Sequence, residues 1–173
     1  MPALQQRYKT HSGRWASLPG PGLALGLAMA APLVAWGAHG LLGLQLNPGL
    51  PPVGAAGLPG GVLGWAWVLV LAPLLEEFVM RTLLQTGLQQ QLDRIAAASL
   101  NTYLEWRGHA ANAATALAFA ALHMPENGVL ALWWLVPALA IGEVWRRSAS
   151  WPLCVLLHAW FNASLAAVTV LNA

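Results

Sequence analysis

The stretch LAPLLEEFVMR, residues 71–81, places Glu76, Glu77 and Arg81 at the end of a strongly apolar run, and the last formal charge before them is Arg14. An isolated charge near the centre of a membrane helix costs roughly 2.5–3.5 kcal/mol. Three of them cost on the order of 8–10 kcal/mol before any pairing. Spacing relieves part of this. Glu77 and Arg81 are four residues apart, on one helix face, with the acid N-terminal to the base, the better order. Glu76 points about 100° away and has no partner at helical spacing. A structural ion pair accounts for Glu77 and Arg81. It leaves Glu76 unexplained.

Two more polar pairs follow. FAALH sets Phe119 and His123 four apart, and HAWFN sets His158 and Asn162 four apart. A lone histidine in an apolar helix is ordinarily a hydrogen-bonded core residue. Two of them, with an asparagine in register and a spare glutamate on another helix, point to one wet cavity shared by three helices. Such a set suits proton transfer. With Glu76, His123 and His158 as ligands it would also suit a His2Glu zinc site keeping a position open for water, although the chain has no HExxH. His11, His39 and His109 lack such company and are read as structural. Cys154, the one cysteine, lies in an apolar run and supports neither an intrachain disulfide nor a thiolate metal site.

The elements that must position these residues are membrane helices. Of 173 residues, 58% are hydrophobic and 8% charged, where a soluble domain carries about 25% charged residues. Apolar runs of about 20 residues, enough to cross a bilayer, recur along the chain. Trp15, Trp106 and Trp151 stand near the ends of such runs, where amphipathic rings favour the interface. The net charge of +2 gives no reason to expect nucleic-acid binding. The expectation is an all-α, polytopic helical bundle with about five transmembrane helices, near 18–44, 62–92, 109–123, 129–145 and 151–171. A further helix lying on the membrane surface is expected around DRIAAASLNTYLEWRG, with a Pro/Gly-rich connection at LNPGLPPVGAAGLPGG. Residues 1–17 read as a basic cytoplasmic segment and 18–173 as one membrane domain, its core at about 62–172. Pro73 predicts a kink one turn before Glu76 and Glu77. With the N-terminus in the cytoplasm, Arg7, Lys9, Arg14, Arg94, Arg107, Arg146 and Arg147 fall on the cytoplasmic side, as the positive-inside rule asks.

EEFVMR, FAALH and HAWFN, in this order on separate apolar helices, resemble the EExxxR, FxxxH and HxxxN/D motifs of the CPBP family. That family comprises the CAAX prenyl proteases and bacteriocin-processing enzymes, integral-membrane glutamic endopeptidases. Pro73 and GEVWRRSASWPL also look like the family, whereas Met80-Arg81-Thr82 stands where many members have Phe-Arg-Gly. The resemblance spans about residues 70–165.

It implies an intramembrane endopeptidase, a small bacterial member in the inner membrane. Glu76 with His123 would activate water, and His158 with Asn162 would bind the oxyanion. Glu77 and Arg81 would support Glu76, and Phe119 would line the cavity. No cofactor is expected, with zinc the alternative. The partners would be the lipid bilayer and a membrane-embedded or membrane-anchored peptide, such as a C-terminal sorting anchor or a leader peptide. The contrasting reading is a non-enzymatic immunity or scaffold protein that keeps the polar cluster for packing.

Overall fold

The computed structural model describes residues 20–40, 61–98 and 105–171; the basic segment 1–17 and the Pro/Gly-rich connection up to residue 60 lie outside them. Five helices make up nearly all of the described chain. They are α1 (Gly20–Gly40), α2 (residues 61–98), α3 (Glu105–Asn127), α4 (Leu135–Ser148, entered through a 3-10 segment, Gly128–Trp134) and α5 (Trp151–Leu171). Among the described residues there is no strand.

Among the described residues, three stretches are long and apolar enough to cross a membrane: Gly61–Ala96, Trp106–Ser148 and Trp151–Val168; Gly22–Gly37 is a shorter apolar helix. The second stretch is a hairpin. Gly128 turns the chain back with a φ of 56°, a left-handed conformation that glycine adopts without steric cost. Beyond it α4 runs antiparallel to α3. Gly108 faces Arg146, the Asn112 amide donates to the carbonyl of Leu139 at 3.0 Å, and Ala116 and Phe119 share a core with Ala131, Trp134 and Ala138. The expected third and fourth spans are therefore both present. The third is longer than its expected range, beginning at Glu105 and running past Pro125 to Asn127.

The stretch expected to lie on the membrane surface is described only at its two ends. Residues 93–98 end α2 and residues 105–108 begin α3, with 99–104 outside the described chain. Asp93 and Arg107 pair across the junction at 3.5 Å.

Many of the buried positions are alanines, and many of the large apolar side chains point outward. Ala24, Ala31, Ala116, Ala120, Ala131, Ala138 and Ala166 are in the interior, while Leu25, Leu33, Leu63, Leu122 and Leu156 point outward. Lipid tails are as apolar as leucine, so membrane helices gain from close backbone approach instead, which small side chains permit.

The tightest approach is at Gly142 of α4. A Cβ there would lie 1.8 Å from Oδ1 of Asn112 and 2.9 Å from a guanidinium nitrogen of Arg81. Asn112 cannot yield without giving up its bond to Leu139. Gly142→Ala is expected to cost about 1–3 kcal/mol by overpacking, read as a lower melting temperature in detergent. An unchanged melt would mean that α3 and α4 have slack at this crossing.

Candidate active site

The two glutamates sit on an irregular helix. α2 widens into π-helical turns at Trp67–Leu71 and Phe78–Gln85, with one α-helical stretch, Ala72–Glu77, between them. Single π turns recur at functional sites because the extra residue re-aims the side chains that follow. The helix continues past Pro73, at which a kink is expected, directly after the first of these wide turns. There Ala72 donates its N–H to the carbonyl of Trp67, five residues back. In that register the donor to Val68 would be residue 73, a proline, which has no N–H. The carbonyl of Val68 takes its hydrogen bond from the side-chain amide of Asn162 on α5, at 2.9 Å.

Glu77 is the centre of the polar network. One carboxylate oxygen accepts from Nε of Arg81 at 2.8 Å, and both side chains are 1% exposed. The other lies 2.8 Å from Nδ1 of His158 on α5. Arg81 goes on to the side-chain oxygen of Gln85 at 3.0 Å and to the carbonyl of Ala138 at 3.2 Å. Gln85 in turn donates to the carbonyl of Gly142 at 3.1 Å. Two donors four residues apart on α2 thus meet two carbonyls four residues apart on α4. Each nitrogen of the guanidinium thus has a fixed acceptor, the condition under which a buried charge is tolerated.

His158 lies between the two glutamates. Its Nδ1 faces Glu77, and its Nε2 lies 3.5 Å from Glu76, whose side chain is 33% exposed. The partner that Glu76 lacks on its own helix is therefore supplied by α5. His123 is within electrostatic reach of Glu76, and its Nδ1 lies 2.9 Å from the carbonyl of Phe119. A carbonyl can only accept, so Nδ1 of His123 carries the hydrogen and Nε2 is left as the basic nitrogen. The Phe119 ring stands between the two imidazoles, 4.5 Å from His123 and 5.8 Å, edge to face, from His158. The Trp134 ring lies 5.3 Å from that of His123.

A cavity of about 10 Å³, the room of one water molecule, has Glu77, Phe119, Trp134, His158 and Asn162 in its wall. Glu76 stands outside that wall. Among the described residues no three His, Cys, Asp or Glu side chains are grouped so as to hold a metal ion. Both nitrogens of His158 are directed at carboxylates.

The residues singled out from sequence are thus brought together from three helices. Glu76, Glu77 and Arg81 come from α2, Phe119 and His123 from α3, and His158 and Asn162 from α5. His109 lies apart, 3.8 Å from Glu143, which also binds Arg146 and Arg147. His39 lies on α1, and His11 is outside the described residues. Three contributors were missed. Gln85 was signalled only by its four-residue spacing from Arg81. Asn112 and Gly142 carried no signal until α3 and α4 were seen to cross.

Comparison with curated proteins and with solved structures gave no match. Residues 58–164 match the family model described as type II CAAX prenyl endopeptidase Rce1-like. That range holds every residue of the cluster and more than half of the chain. The chain belongs to this family of membrane proteases.

Proposed function

We propose that the chain is an intramembrane endopeptidase that hydrolyses a peptide bond of a membrane-associated substrate, and that the cluster around His158 is its catalytic site. The observation that carries this is the reach of both glutamates to one histidine of another helix, at 2.8 and 3.5 Å. A structural ion pair would need only Glu77 and Arg81.

Glu76, the more exposed carboxylate, takes a proton from the attacking water, with the free Nε2 of His123 as its neighbour. Glu77 holds the ring of His158 through Nδ1, so that Nε2 is presented to the reacting groups. The carbonyl oxygen of the scissile bond enters the small cavity beside His158 and Asn162. The proton taken by Glu76 returns to the leaving amine as the intermediate collapses. Substrates that fit the reading are C-terminal membrane anchors and leader peptides, met at the inner membrane of a bacterium.

The test is cleavage by the protein reconstituted in vesicles with membrane-anchored peptides, the products identified by mass spectrometry. Cut products support the reading; intact peptides across a broad panel would sink it. A glutamate-based mechanism also predicts that 1,10-phenanthroline leaves the rate within about twofold of the untreated value, since no step runs through a metal. Inhibition that added zinc reverses would move the enzyme to metal-assisted hydrolysis.

A further inference from the structure

Trp134 ends the 3-10 segment Gly128–Trp134. It is 6% exposed, yet its indole Nε1 is buried without a hydrogen-bond partner among the described residues. Buried indole N–H groups ordinarily find an acceptor, and one that does not calls for an explanation. Trp134 lines the 10 Å³ cavity together with His158 and Asn162.

The other donors at this cavity are engaged in part, and each nitrogen of Arg81, which also lines it, already has an acceptor. The Asn162 amide spends one of its two hydrogens on Val68. Nδ1 of His158 is on Glu77, and its Nε2 is turned towards Glu76. An oxyanion in a dry site is stabilised most by donors fixed in advance and not satisfied in the ground state. The indole N–H of Trp134 meets both conditions, and the cavity has room for a single oxygen atom.

We propose that Trp134 is a catalytic residue, a substrate-contacting donor whose indole N–H binds the carbonyl oxygen of the scissile peptide as it becomes an oxyanion. The inference rests on the protease reading. As the water oxygen bonds to the carbonyl carbon, the water proton passes to Glu76 and the π pair of the carbonyl moves onto its oxygen. The N–H of Trp134 and the remaining amide hydrogen of Asn162 then receive that charge. On collapse the pair returns to re-form the carbonyl, the C–N bond breaks, and the amine leaves with the proton held by Glu76.

The experiment compares wild type, Trp134→Phe and Glu76→Gln on one cleavable membrane-anchored peptide, each first melted in detergent. Trp134→Phe keeps an aromatic ring against His123 and loses the donor. The expected result is a fall in kcat of about 10²-fold with KM within about threefold. Affinity for a peptide phosphinate, which mimics the tetrahedral intermediate, should weaken by the same factor as kcat/KM. A merely structural tryptophan would lower the melting temperature without that parallel loss.

Retained kcat in Trp134→Phe, or a change confined to KM, overturns the inference while leaving the protease reading intact, provided that Glu76→Gln is inactive. Absence of cleavage by wild type overturns both. If Trp134→Phe does not fold, an analogue at position 134 with sulfur in place of the indole nitrogen keeps the shape, and the same kcat criterion decides.

Discussion

Glu76→Gln is expected to lower turnover by on the order of 10³-fold while leaving the melting temperature within about 2 °C of wild type. The substitution keeps the shape and removes the proton acceptor. Little of the fold depends on this carboxylate, since its side chain is one-third exposed and its contact with His158, at 3.5 Å, is longer than a good hydrogen bond. Glu77→Gln makes the instructive contrast. It weakens the bonds to both Arg81 and His158, so stability and turnover should fall together. Product formation by mass spectrometry and melting in the same detergent separate the two cases. Wild-type turnover in Glu76→Gln would return the cluster to a packing role.

Arg81→Met carries the largest expected cost in stability, about 3–5 kcal/mol, the usual consequence of stripping one partner from a buried ion pair. Glu77 would keep only His158, and the carbonyl of Ala138 and the side chain of Gln85 would lose their donor. The expected readout is a large drop in melting temperature. Removing both charges tells more. Buried pairs are often replaceable by apolar residues of similar volume at little cost, so Glu77→Leu combined with Arg81→Met should recover much of the lost stability. It should not recover activity, because His158 would no longer be held through Nδ1. An Arg81→Met protein that melts like wild type would show that the guanidinium is not what ties α2 to α4.

Whatever lay within one helix could be read from the sequence. Glu77 with Arg81 follows from a four-residue spacing, and the structure pairs them at 2.8 Å. His158 and Asn162 were likewise placed on one face, and both reach α2. The all-helical membrane architecture followed from composition. Contacts between helices were not legible, because lipid-facing and bundle-facing surfaces are both apolar and no hydrophobic period separates them. Trp134 was hidden for that reason among ten tryptophans, which suited an interfacial belt equally well. The third span is expected to start at residue 109. The helix begins earlier, at Glu105, and its phenylalanine bridges the two imidazole rings. The π-helical turns of α2 have no residue code.

The carbonyl of Val68 bears on how such a bundle finds its own partners. Among apolar helices in a bilayer almost any pair can touch, and hydrophobicity does not choose between them. A backbone oxygen left open by Pro73 and answered by Asn162 works as an address. It marks one level on α2 that one side chain on α5 can fill, and sliding either helix by a turn leaves both groups unmatched in hydrocarbon. The hydrogen that proline lacks thereby helps set which helix docks, and at what height.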